Sequence, residues 1–197
     1  MDELSGFLIA AVALTGSPGP NTLSLAAVGA AFGWRRGIGY MAGLCLGMVF
    51  VIAIVGTGTI SLVFAVPGAA QIIGMVAAAY FIWLAWRIAS APPLSQNAGT
   101  GKPPSWISAI FVSLSNPKAY AAMAATFSGF VLIADNLAAD GLVKAALLVA
   151  VIIGVNILWL FAGASLTPFL RVPRSSRIIN VGFAVALVIS VSLALLL

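Results

Sequence analysis

The chain of 197 residues is 62% hydrophobic and only 7% charged, with a mean hydropathy of +1.18. A soluble domain carries about a quarter charged residues, so a water-soluble globule is excluded and the solvent must be lipid. The formal charge of +5 does not mark a nucleic-acid partner, because nearly every Lys and Arg sits in a short loop or at a helix end, with no basic stripe of interleaved aromatics.

Taken in chain order, the apolar runs predict an all-α polytopic membrane protein with six transmembrane helices. A bilayer core of about 30 Å needs about 20 apolar residues per helix. On that measure the spans fall at 4–32, 38–65, 69–90, 106–133, 142–167 and 178–197. The opening Met1-Asp2-Glu3 is acidic and unlike a cleavable signal peptide, so the N-terminus reads as mature sequence.

Within the first span, Ser17-Pro18-Gly19-Pro20-Asn21 must break the helix, because proline lacks a backbone donor and clashes with the preceding turn. Pro18 lies about 21 Å along the helix from either Leu4 or Phe32, near the bilayer middle. In the second span Gly39, Gly43 and Gly47 put small residues on one face. That spacing permits close helix packing, within the chain or at a homodimer contact. Cys45, the single cysteine, excludes an intrachain disulfide and reads as a small packing residue. Tyr80, Trp83, Trp86 and Arg87 at the end of the third span resemble an interfacial belt.

The Pro-, Ser- and Gly-rich stretch between the third and fourth spans reads as a cytoplasmic linker. It divides the chain into an N-terminal three-helix unit (1–90), the linker (91–105) and a C-terminal three-helix unit (106–197). The fourth span is interrupted by Ser115-Asn116-Pro117-Lys118, and Pro117 lies roughly 16 Å past Trp106, again close to the midplane. Loops after odd-numbered spans hold Arg35, Arg36, Arg87, Lys102, Arg171, Arg174 and Arg177. The opposite side holds Lys144, with Asp2, Glu3, Asp135 and Asp140. The positive-inside rule then places both termini outside the cytoplasm. Three spans per half give the halves opposite orientations, the geometry of inverted repeats.

Two helices broken at matching depths are the sequence pointer to a transport site. Pro18, Gly19, Pro20, Asn21, Asn116, Pro117 and Lys118 are therefore the candidate substrate-binding residues. The competing reading is that both prolines merely kink packed helices, and that Asn21 caps the second half-helix. Lys118 weighs against a mere kink, since a charge at the bilayer centre costs about 2.5–3.5 kcal/mol even on the lenient insertion scale. It must face a wet cavity, pair with substrate or lose its proton.

These residues are familiar as a set. Pro18-Gly19-Pro20-Asn21-Thr22-Leu23 with Gly33-Trp34-Arg35-Arg36-Gly37, and then Asn116-Pro117-Lys118-Ala119, resemble the two proline blocks of LysE/RhtB-type amino-acid exporters. Ala79-Tyr80-Phe81-Ile82-Trp83-Leu84 and the Trp159 region resemble the third and fifth spans. The resemblance implies a bacterial inner-membrane exporter of amino acids or their derivatives, driven by the proton gradient. The chain departs from it at Asn21, where many relatives carry Asp, and at Phe127-Ser128-Gly129-Phe130, which lacks a proline. Both departures leave the substrate and the coupling ion open.

For such an exporter the sign of coupling constrains Lys118. Pairing with a substrate carboxylate would make proton and substrate favour each other, which is co-export and the wrong sign for efflux. A substrate ammonium competing with the lysine charge would expel the proton, the sign of antiport. Lys118 is accordingly the expected proton-coupling residue.

Two other function classes compete. Ser113, Ser115 or Ser128 with Lys118 would make a serine–lysine hydrolase, and a non-transporting membrane subunit is the third reading. With no histidine, one cysteine and no acid inside a span, no metal site and no cofactor is expected.

Overall fold

The computed structural model describes residues 3–58, 102–170 and 172–196, together with isolated positions between 68 and 90. Tyr80, Arg87 and most of the expected linker lie outside the described residues. Every regular element among the described residues is helical: α1 (Glu3–Gly16), α2 (Pro20–Phe32), α3 (Trp34–Gly56), α4 (Trp106–Leu114), α5 (Pro117–Gly129), α6 (Leu137–Ser165), the short α7 (Thr167–Leu170) and α8 (Pro173–Leu196).

The two proline motifs do break their helices. The first expected span is two helices, α1 and α2, with Gly19 as the N-cap of α2 and Pro20 next inside it. Proline is favoured there because that N–H has no helical partner in any case. Asn116 holds the same place ahead of Pro117 in α5. Asn21 is thus inside α2, not its cap.

Other boundaries move, with identifiable causes. The second helix begins at Trp34, directly after Gly33, whose φ of 78° turns the chain sharply between α2 and α3. It ends at Gly56 rather than reaching residue 65. The fourth expected span stops at Gly129, not 133. The fifth starts at Leu137, where the Asn136 side chain accepts from the Ala139 N–H as an N-cap. Asp140, expected ahead of the span, is therefore a residue of α6, as is Lys144.

They form a buried ion pair of 2.6 Å. Asp140 also accepts from the backbone N–H groups of Leu132 and Ile133, while Lys144 donates to the carbonyls of Phe127 and Phe130. One pair thus satisfies groups left free where α5 ends.

The most enclosed helix is α2, with ten of its thirteen residues buried, as expected of an apolar helix surrounded by others. It crosses α6 closely: a side chain at Gly163 would collide with the backbone of Ala26, and one at Gly29 with the backbone of Leu160. On α3, Gly43 and Gly47 lie against α4 at Trp106, Ala109, Ile110 and Ser113, whereas Gly39 has nothing within 4 Å. Two of the three glycines are thus used within the chain. The broken pair α4–α5 packs against α3, the broken pair α1–α2 packs against α6, and α3 and α6 touch each other.

The outer surface is apolar. Ile38, Leu46, Val49 and Phe50 on α3, and Leu142, Ile153, Leu158 and Phe161 on α6, are all exposed. Both helices are long and apolar enough to cross a bilayer. Water would not tolerate so continuous an apolar exterior; lipid does.

Candidate functional site

The two breaks meet. A small cavity of about 40 Å³ is lined by Ser17, Gly19, Asn21 and Thr22 from the first break, Asn116, Lys118 and Ala119 from the second, and Asn156 from α6, with Met48, Met123 and Ile152 among its apolar walls. Since a water needs about 10–15 Å³ in such a measure, there is room for roughly three waters. A cysteine-sized amino acid has more than twice as many heavy atoms. The cavity is therefore in a narrow state.

A helix that ends inside a membrane leaves its last carbonyls without partners. In α1 the Ser17 N–H and hydroxyl meet Ala13 O and Leu14 O, while Gly16 O and the two carbonyls that follow the helix are met from the other half of the chain. The Trp159 indole donates to Gly16 O at 3.0 Å. Lys118 Nζ donates to Ser17 O at 2.7 Å and to Pro18 O at 3.0 Å. A cation at the negative end of α1 is also favoured by the helix dipole. Lys118 thus has a partner set that the sequence gives no hint of: freed backbone carbonyls. Gly19 leaves the room for it, because a Cβ there would stand 3.0 Å from Lys118 Cδ and Nζ.

The start of α2 is satisfied locally. The Gly19 N–H donates to Thr22 Oγ1 at 2.9 Å, closing the first turn. Across the breaks runs a line of side-chain bonds. Asn116 Nδ2 donates to Asn21 Oδ1, Asn21 Nδ2 to Ser113 Oγ, and Ser113 Oγ to the Leu44 carbonyl, each at 3.0 Å. Asn116 and Asn21 are both buried, and Asn116 Oδ1 has no hydrogen-bond partner among the described residues.

The family model "LysE type translocator" matches residues 12–197. The chain belongs to the LysE type translocator family. It is 34% identical over 92 residues to the cysteine/O-acetylserine efflux proteins of Salmonella choleraesuis and Salmonella typhimurium, an alignment covering 47% of each chain. It is 29% identical over 187 residues to the cysteine/O-acetylserine efflux protein of Escherichia coli, covering 94% of this chain and 93% of that one. The matched stretch is thus just under half the length of the Salmonella relatives and nearly all of the Escherichia coli relative. No solved structure matches the chain.

Membership of a translocator family removes the serine–lysine hydrolase reading. Two of its three serines are also engaged elsewhere, Ser113 donating to Leu44 O and Ser128 to Ala124 O, and Lys118 donates to the carbonyls of Ser17 and Pro18.

Of the residues expected at the site, Gly19, Asn21, Asn116 and Lys118 line the cavity. Pro18 contributes its carbonyl, and Pro20 and Pro117 set the first turns of α2 and α5. Asn156 and Trp159 are the site residues that sequence reasoning did not assign. Asn156 donates to Cys45 Sγ at 3.3 Å, and it lies on the same α6 face as Trp159. A lone Asn inside a 29-residue apolar helix was the available signal, because polar side chains at that depth are expensive.

Proposed function

We propose that the chain is an inner-membrane exporter of amino acids or amino-acid derivatives of the cysteine and O-acetylserine class, working by proton antiport. The observation that carries this is the meeting of both broken helices at one polar cavity, joined by Lys118 to the first break and by Asn116 to Asn21. Irregular backbone at membrane depth is tolerated where it lines a cavity, and paired breaks are where transporters hold their substrates. The cysteine/O-acetylserine efflux proteins among its relatives suggest the substrate class.

In this reading, residues 1–90 and 106–197 are two inverted three-helix repeats joined by a cytoplasmic linker at 91–105, with both termini periplasmic. The packing supports it, since each unbroken helix, α3 or α6, lies against the broken pair of the other half. Pro18, Gly19, Pro20, Asn21, Asn116, Pro117 and Lys118 form the substrate site. Lys118 is the coupling group: a substrate ammonium entering the cavity competes with its charge, and the proton leaves as substrate binds.

The test is release of labelled cysteine, O-acetylserine and a panel of amino acids from proteoliposomes, with and without an inward proton gradient. Release accelerated by the gradient is expected. Release no faster than from protein-free vesicles across the panel refutes export. Release indifferent to the gradient and to a protonophore removes antiport alone.

A further inference from the structure

The line of hydrogen bonds across the two breaks runs in one direction. The Ser113 hydroxyl spends its single proton on the Leu44 carbonyl, which can only accept. Ser113 Oγ can then only accept from Asn21, which must present its NH2. Asn21 must in turn present Oδ1 to Asn116, which donates its own NH2. Turning over either amide would set oxygen against oxygen or two donors against each other. One backbone carbonyl on α3 thereby orients two asparagine side chains on opposite sides of the site.

The consequence falls on Asn116. Its Oδ1 is committed to face away from Asn21, and it has no partner among the described residues although Asn116 is only 4% exposed. A buried acceptor left unpaired costs about 1–3 kcal/mol, and native proteins leave few such groups without a reason. Asn116 lines the cavity that also holds Lys118.

We infer that Asn116 Oδ1 is the acceptor for the substrate's α-ammonium group, and that Ser113, which touches no substrate, is the positioning residue that keeps this oxygen an acceptor. The inference rests on the exporter reading and deepens it. A fixed acceptor selects ligands that bring a donor, and a charged donor most of all. It also places the substrate's positive end in the same cavity as Lys118, where like charges compete. The apolar walls at Met48, Met123 and Ile152 are left for the side chain.

The experiment compares three ligands differing only at the α-carbon, by competition against labelled cysteine on purified full-length protein. They are cysteine with its ammonium, 3-mercaptolactate with a hydroxyl, and 3-mercaptopropionate with no donor; serine, glycerate and 3-hydroxypropionate form a parallel series. Affinity is expected to fall in that order, by about ten- to a hundred-fold from first to last, the range for a hydrogen bond to a charged group. Ser113→Ala, which frees both amides to turn, is expected to compress this ratio several-fold, and Ser113→Thr, which keeps the hydroxyl, to retain it.

Asn116→Ala abolishes the preference if it folds, and the serine variants carry the test if it does not. Wild-type protein that binds cysteine and 3-mercaptopropionate equally overturns the inference and leaves the exporter reading standing. A ratio unchanged in Ser113→Ala overturns the positioning role. Wild-type protein that binds no amino acid in the panel overturns the exporter reading and this inference together.

Discussion

Replacing Lys118 with Met removes the ammonium and keeps a stem of nearly the same length. Two bonds are lost. The one to Ser17 O, at 2.7 Å, is partly buried and leaves that carbonyl only the longer 3.4 Å bond from Thr22 Oγ1; a bond from a charged donor contributes about 1.5–3 kcal/mol. The one to Pro18 O, at 3.0 Å, is exposed, and water replaces it at a cost of about 0.5–1.5 kcal/mol. Against these stands relief from holding a half-buried charge. The net destabilisation is about 1–3 kcal/mol, and at about 2–4 °C per kcal/mol for a chain of this size the melting point falls by about 2–12 °C. Melting of purified protein in detergent, followed by tryptophan fluorescence, measures this. Hydrogen exchange locates it: the Gly19 and Leu23 amides, bonded to Thr22 Oγ1 and Gly19 O, should exchange faster while α3 is unaffected. A Met variant with wild-type melting and unchanged exchange at Gly19 and Leu23 would refute the capping role.

Gly19→Ala should displace Lys118 from the same carbonyls, since the new methyl would stand 3.0 Å from Nζ; export should fall with little loss of protein in the membrane, read as initial efflux rate per molecule. Gly163→Leu, which drives a large side chain into the Ala26 backbone, should prevent folding, read as loss of monodisperse protein after detergent extraction. Asp140→Asn should speed hydrogen exchange at Leu132 and Ile133, which donate to that carboxylate. Unchanged exchange at both amides would contradict this. Reporter fusions after Lys102 and Arg174 should read cytoplasmic and a fusion after Asp140 periplasmic; a cytoplasmic reading at Asp140 defeats the six-span topology.

What the sequence made legible was what proline and hydropathy encode locally. The helix breaks at Pro18–Pro20 and Pro117 follow from the missing N–H and the ring clash, and the apolar exterior follows from composition. The partners of the broken ends were not legible, because they are distant along the chain. Lys118 meets Ser17 across 101 residues, and Trp159 meets Gly16 across 143. A lysine beside a proline motif at membrane depth invites a reading as a substrate or coupling charge, and nothing in its neighbours indicates that it caps another helix. The start of the fifth span was set too late for a different reason. Asp140 was left outside it, although an acid four residues ahead of Lys144 is a helix pair and Asn136 ahead of them is an N-cap.

The lysine's cap and the coupling role proposed for it are compatible through the geometry of the site. The cavity is too small for an amino acid, so binding one requires the two breaks to move apart or the walls to shift. The bonds that resist such movement join residues of the two breaks: Lys118 to Ser17 and Pro18, Asn116 to Asn21, and Asn21 to Ser113. Releasing Lys118 exposes both its charge and the freed carbonyls, and a substrate that brings its own ammonium offers those carbonyls a replacement donor while repelling the displaced one. Substrate thus takes over the cap that the lysine gives up. A protonated lysine returning to the carbonyls closes the breaks again after substrate has left. In the proposed antiport, proton and amino acid would then alternate at one set of acceptors, and their exchange would need no second titrating group.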